Sequence, residues 1–372
     1  VSAAEPRVLL ACDYHLRYSS RLAAGLSGAG AEVTLLTRDH DGEFGGEPGA
    51  ARAFVEAATG PAAVTGPPVS LRTIPSRVRS PRGWATVPAL RRELRRGGGV
   101  VHVQESIGND PRLLIAAGAR RGRFALTVHD PVRHPGDSDS RWAFLTNRAL
   151  VKSARLIFTH GDALRDELID IAHPKAPIVV VPHGIFVGDS APLPQTPSIL
   201  FFGRISYYKG LDLLLDAMAV VWERVPEATL TVAGDGEIAP HPALGDPRVT
   251  LRQGHLPDSE VPGLIEAATV LALPYRQASQ SGVGSLAKAH GRAMIVSEVG
   301  GLPELVADGS GLLAKPEDPA SLAARLIEIL SDRELAERLG TAGAASAARE
   351  SSWDVVAAAT LAAYREYLTP RL

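Results

Sequence analysis

The 372-residue chain has one cysteine, two methionines and five lysines, and aromatic residues make up only 5% of it. A lone cysteine, Cys12, excludes an internal disulfide and any cysteine-rich metal site. No apolar run approaches the roughly 20 residues of a membrane-spanning helix. The opening VSAAEPRVLLAC enters a predicted strand at once, with no basic segment ahead of a long apolar core, so no secretory signal is read there. A surplus of one charge is lacking too: 39 Lys and Arg stand against 41 Asp and Glu, net -2, which denies nucleic acid an electrostatic footprint. A reducing cytoplasm is the expected setting.

What is present is the composition of a globular protein, 45% apolar and 22% charged, in a chain too long for one hydrophobic core. Short apolar runs alternate with amphipathic stretches, the pattern of α/β domains with parallel sheets. Strands are expected at 7–12, 32–37, 69–74, 100–105, 124–129, 156–160 and 178–182, then at 198–203, 228–234, 249–254, 269–274, 293–298 and 311–315. FVGDSAPLPQTPS (186–198), rich in Pro and Ser, reads as the linker. Residues 1–186 and 198–350 become two Rossmann-like domains, and 351–372 a terminal helix with Trp353, Val356, Ala357, Leu361 and Tyr364 on one face. That helix can dock on either domain, including a return to the first. DHDGEFGGEPGA (39–50) reads as a mobile loop. GLSGAG (25–30) mimics a dinucleotide fingerprint, but it follows a helix and precedes a strand, so it reads as a helix end and turn.

The chemistry begins at FFGRISYYKG (201–210). A strand that stops at Gly203 and yields to a helix near Gly210 puts free N–H groups at the carboxyl edge of a parallel sheet, where ligands of such sheets bind. Arg204 can fork onto two phosphate oxygens and Lys209 supplies a compact charge. A solvated loop with two incidental cations explains the segment equally well. A second anion cradle is LPYRQASQSGVGSLAKAHG (273–291), where Ser281 is a plausible N-cap and Gly282 permits close backbone approach. Two helix N-termini over one sheet edge suit a nucleoside diphosphate, the cations taking the place of a metal. Eleven histidines show no ligand spacing, so no metal or other cofactor is expected. His129, at a strand's carboxyl end, reads as a hydrogen-bond partner of a sugar. Glu304 reads equally as a first-turn carboxylate or a substrate contact. The stretch 72–96 holds eight Arg and one Glu; it offers a membrane surface or an anionic acceptor a basic face, and is more simply a surface helix with Val87, Leu90 and Leu94 in the core.

Gly-Arg with Lys-Gly five residues on, then VAGDGE, LPYRQASQSGV and SEVGGLPELVADGSGLL, resemble the C-terminal half of retaining glycosyltransferases of the GT-B fold. These are glycosyltransferase family 4-like, in the large family that includes sucrose-, trehalose- and exopolysaccharide-forming enzymes. TVHDPVRHPG and VPHGI carry a weaker likeness in the first half. The resemblance implies two Rossmann-like domains with parallel sheets facing across a cleft, and metal-independent transfer, with retention, from a nucleotide-sugar to a sugar, lipid-linked or small-molecule acceptor. It implies that Arg204 and Lys209 hold the diphosphate and that His129 faces the transferred sugar, these three being the catalytic residues, and that the leaving phosphate takes the acceptor proton. Gly203, Gly234, Gly236, Gly254, His255, Leu256, Gln277, Ser279, Gln280, Ser281, Gly282 and Val283 complete the donor site; Tyr14, His15, Glu105 and Asp130 are acceptor-side candidates. Where many relatives carry two glutamates eight positions apart, Ala278 and Leu286 stand, with Gln277 the nearest polar neighbour; the Ala-Ser-Gln-Ser-Gly-Val run resembles a variant subgroup. After the first strand CDYHLRYSSRL replaces the Gly-Gly pair of many relatives. The rival readings are a nucleotide-sugar epimerase or phosphorylase of the same architecture, or a sugar-nucleotide binding protein without catalysis.

Overall fold

The computed structural model describes residues 6–12, 15–38, 49–60, 65–74, 88, 99–104, 123–131, 148–185, 191–278 and 280–368. They divide into two compact units. One is built from the chain up to Gly184 together with the segment from Trp353 onward, the other from Ile185–Ser352. All but the last two residues of the loop expected at 39–50, nearly all of the arginine-rich 72–96 stretch, and Tyr14, Glu105 and Ser279 lie outside the described residues.

The first unit holds a seven-stranded parallel sheet: β1 Arg7–Ala11, β2 Glu32–Arg38, β3 Ser70–Ile74, β4 Val100–Gln104, β5 Phe124–Thr127, β6 Leu156–Thr159 and β7 Ile178–Val180, in the order β3-β2-β1-β4-β5-β6-β7. The central strands VVHVQ, FALT and LIFT are buried along their whole length because both faces are covered. On one face lie the helix Leu16–Gly28 and the last helix, Trp353–Tyr367, whose Trp353, Val356, Leu361 and Tyr364 share a core with Leu10, Leu22, Leu26 and Leu35. The two helices touch at Gly25, where a Cβ would sit 2.9 Å from the Trp353 carbonyl oxygen. The GLSGAG stretch is indeed the end of the first of them, closing as Ala29 N–H donates to the Gly25 carbonyl. Leu150, Val151 and Leu168 pack on the other face, against Val101, Val103, Leu126 and Ile157.

The second unit has a six-stranded parallel sheet: β8 Ser198–Phe202, β9 Thr229–Gly234, β10 Val249–Gln253, β11 Val270–Leu273, β12 Ala293–Ser297 and β13 Gly311–Ala314, in the order β10-β9-β8-β11-β12-β13. Part of the stretch expected as a linker already belongs to this unit. Leu193 is buried in its core, and Arg292, 1% exposed, donates to the Ala191 carbonyl at 2.7 Å and the Glu266 carbonyl at 2.8 Å. Main-chain oxygens thereby take both terminal nitrogens of an arginine that would otherwise be costly to bury.

In both sheets the strand order reverses beside the first strand, between β1 and β4 and between β8 and β11. Open parallel sheets bind ligands outside the carboxyl ends of strands at such a switch point. Most strands stop one or two residues before the expected end, which leaves His129, His160, Gly203, Gly254 and Pro274 in the loops at that edge. No helix among the described residues is long and apolar enough to cross a membrane.

Candidate functional site

The two anion cradles expected from the sequence leave the two strands that flank the switch point of the second sheet. After β8, Gly203 adopts φ +106°, a conformation open to glycine, and a Cβ there would stand 3.1 Å from Lys209 Nζ and 3.3 Å from Val283 Cγ2. The chain then makes one 3-10 turn, Tyr207–Lys209, and enters the helix Leu211–Arg224. Arg204 is exposed, but Lys209 is 9% exposed, so the picture of two solvated cations does not hold.

Lys209 Nζ donates to Tyr275 Oη at 3.2 Å and lies 4.9 Å from the centre of that ring. Among the described residues no carboxylate pairs with it. Burial pushes its ammonium below the usual lysine range, with the charge of Arg204 acting in the same direction and Tyr208 opposing. A buried cation whose partner is a neutral phenol is undercompensated, and an incoming anion would supply what the fold withholds.

The second cradle follows β11. Ser281 caps the helix Gly282–Ala289, its Oγ accepting from the Gly284 N–H at 3.3 Å. The Tyr275 hydroxyl lies 3.4 Å from Ser281 Oγ, and burial pushes the phenol up to about 12, so it stays neutral. Lys209, Tyr275 and Ser281 thus form one polar chain from the first cradle to the second. Tyr275 gave no signal in the sequence because it extends the apolar run TVLALPY. Arg276 was missed likewise: its backbone N–H donates to the Tyr208 carbonyl at 2.7 Å, and its guanidinium forks onto Asp212 and lies 4.1 Å from the centre of the Tyr207 ring.

The other expected donor residues sit on the same edge. Gly234 ends β9, Gly236 lies in the turn beyond it, and Gly254 follows β10, its N–H donating to the Gly234 carbonyl at 2.9 Å. His255 is exposed, Leu256 packs against the apolar cluster beneath the sheet, and Gln277 and Gln280 are half-buried. Gly282 is exposed, and a Cβ on it would meet nothing within 4 Å. Glu304 is exposed in the first turn of the short helix Leu302–Val306, which opens with Leu302-Pro303.

In the first unit His129 is buried and its Nε2 lies 2.7 Å from Gln104 Oε1, the last residue of β4. The ring stacks on His15 at 3.9 Å between centres and meets the edge of Tyr18. His160 and His183 also border Tyr18, at 5.0 and 5.1 Å. Burial keeps these imidazoles neutral: His15 and His183 fall to about 4, His160 to about 3, and His129 well below the ordinary value. Asp130 opposes the shift at His15 and His160 without reversing it. Among the described residues no three His, Cys, Asp or Glu side chains are placed to hold a metal ion. Sequence reasoning chose Glu105 and passed over Gln104, which reads as one more alternating position of a buried strand.

Residues 17–187 match the family described as Glycosyltransferase Family 4, and residues 196–332 that described as Glycosyl transferases group 1. A glycogen synthase of Mycobacterium tuberculosis is 30% identical over 64% of this chain and 62% of its own length. A D-inositol 3-phosphate glycosyltransferase of Frankia alni is 34% identical over 66% of each chain. The match spans 62% of the first of these relatives, and 47% of the related enzyme from Segniliparus rotundus. Among solved structures, sucrose-phosphate synthase of Thermosynechococcus elongatus aligns at TM-score 0.70 and 19% identity over 97% of this chain and 99% of that one. Anabaena HepE in complex with UDP-glucose aligns at TM-score 0.72 and 17% identity, over 97% and 100%. At such identities the likeness is one of fold, that of GT-B proteins. The two family descriptions fall one on each sheet and together account for most of the chain, which has the GT-B fold and belongs to the glycosyltransferases that they describe.

Proposed function

We propose that the chain transfers a sugar from a nucleoside diphosphate sugar, with retention of configuration and without a metal ion, to an acceptor taken up by the first unit. The observation that carries this reading is Lys209: a buried ammonium with no carboxylate partner among the described residues, joined through Tyr275 to the serine that caps the second helix N-terminus. As a glycosidic bond to a diphosphate breaks, negative charge gathers on the leaving phosphate. A fixed cation and oriented N–H groups stabilise that charge without reorganisation. Arg204, exposed on the same loop, adds a second, forked cation. The relatives' names, glycogen synthase and D-inositol 3-phosphate glycosyltransferase, support a nucleotide-sugar donor and leave the acceptor open.

The test is a thermal-shift screen of UDP-, ADP- and GDP-sugars, since a ligand bound only by the folded state raises the melting midpoint. Transfer assays with the stabilising donor then follow in excess chelator. Activity should persist in chelator, and the anomeric configuration of the product should match that of the donor. Strict dependence on added magnesium or manganese would remove the electrostatic role given to Arg204 and Lys209.

A further inference from the structure

At the carboxyl edge of the first sheet three buried polar atoms have no hydrogen-bond partner among the described residues: Gln104 Nε2, His160 Nε2 and His183 Nδ1. They stand at the ends of β4, β6 and β7, and His129, beyond β5, lies between them. Its ring is 4.8 Å from that of His160, which in turn is 5.3 Å from His183. This is the edge whose strand order reverses at β1 and β4. Leaving such groups buried and unpaired is costly, and native folds rarely keep them without a use.

For Gln104 and His160 the chemistry of the unpaired atom follows from what the other end of the side chain does. The Gln104 carbonyl oxygen is taken by His129, so its amide NH2, a pure donor, remains. His160 Nδ1 lies 2.9 Å from the Val181 carbonyl oxygen and must donate its proton there, which makes Nε2 a bare lone pair, a pure acceptor. Burial keeps the ring uncharged. A carboxylate or phosphate oxygen can use the amide but not the lone pair, and an ammonium can use the lone pair but not the amide. Hydroxyls do both, and two on one ring satisfy the pair together.

We propose that Gln104 and His160 form a hydroxyl-binding pair for an uncharged sugar or cyclic polyol ring, and that His129 is the positioning residue that holds the Gln104 amide. This reverses the role expected of His129, whose Nε2 is already spent on Gln104. It rests on the reading of the chain as a glycosyltransferase, and the ring belongs either to the transferred sugar or to the acceptor.

Calorimetric titration of the full chain separates the two. The probes are UDP, ADP and GDP, then UDP-glucose, ADP-glucose and GDP-mannose, then glucose and myo-inositol as uncharged rings. The proteins are the wild type, Gln104→Leu, Gln104→Glu and His160→Phe, each checked by a melting curve. If the ring is the transferred sugar, the variants lose at least about tenfold in affinity for the nucleotide-sugar and nothing for the free diphosphate, the order expected when a buried hydrogen bond to a ligand is removed. If it is the acceptor, the loss falls on glucose or myo-inositol alone. Histidine-selective 15N spectra of the wild type serve should the variants not fold: the His160 Nε2 resonance must move when the ring-bearing probe binds. Folded variants that bind every probe within about twofold of wild type, or an unmoved His160 signal under saturating probe, overturn the inference and leave the donor reading standing. So does a wild-type protein that binds a free diphosphate but no probe that carries a ring. A wild-type protein that binds none of the probes overturns both.

Discussion

Arg276 grips both carboxylate oxygens of Asp212, at 2.8 and 2.7 Å, across the gap between the two loops that bound the second unit's site. The guanidinium holds the Asp212 carboxyl below its ordinary range, chiefly through these hydrogen bonds. Asp212 is half-exposed, so the pair contributes only about 1 kcal/mol to stability; its larger expected effect is to tie together the two loops that carry Lys209 and Ser281. Arg276→Met is expected to lower nucleoside diphosphate affinity roughly tenfold for a small loss of stability, and Arg276→Lys not to restore it, because the fork is lost. Titration calorimetry beside a urea melt reads both quantities. Unchanged affinity would show that the loops hold their places independently.

Lys209→Met should separate stability from function. Removing an undercompensated buried charge leaves the ligand-free melting temperature equal or higher, while turnover falls at least about a hundredfold, as when one stabilising donor of a leaving group is lost. Arg204→Ala is expected to cost a similar factor with no change in melting, and Arg204→Lys not to rescue it. A Lys209→Met protein that melts much lower and keeps its turnover would reduce the residue to a structural part.

Gly282→Val tests the second cradle. A Cβ at this position meets no atom of the fold within 4 Å, so the protein should fold normally. An oxyanion seated on the N–H groups behind Ser281 would meet it, and affinity for the nucleoside diphosphate should fall well over tenfold. Wild-type affinity in the folded variant would reduce the Ser281 turn to an ordinary helix start.

Acid should destabilise the first unit. His102 and His160, buried, and His15 and His183, half-buried, are held neutral, with folded values of about 3, 3, 4 and 4 against an unfolded value near 6.5. Because the folded values are depressed, the unfolded chain binds protons first. The contribution is complete above about pH 6.5 and declines below it by up to about 1.4 kcal/mol per pH unit per histidine, until the folded values are reached. Urea melts at pH 7.5, 6 and 5 should show a steep fall, made shallower by His102→Gln. A flat profile between pH 7 and 5 would mean that these rings are solvated.

The strands were legible because FALT, LIFT and VLAL are short apolar runs that only a doubly covered sheet buries, and the loops after β8 and β11 were singled out because Gly203, Arg204, Lys209 and Ser281 carry their chemistry in their residue types. Tyr275, Arg276 and Gln104 were not legible. Each acts through a partner distant in sequence: Tyr275 meets Lys209, Arg276 meets Asp212, and Gln104 meets His129. Local pattern records a strand's end but not which neighbouring strand's end it faces. The burial of Lys209 was hidden for the same reason, since a lysine between Tyr208 and Gly210 reads as solvated until Tyr275, from the loop after β11, is placed against it.

The last helix has a consequence for the order in which the protein is made. Tyr364 Oη lies 2.5 Å from His102 Nδ1 in the middle of the first sheet, and Trp353, Val356 and Leu361 fill the core beside β1 and β2. A ribosome releases those residues only after the whole second unit has emerged. The half of the chain synthesised first is therefore the half that completes its interior last, and until then it must wait with the seat of that helix uncovered.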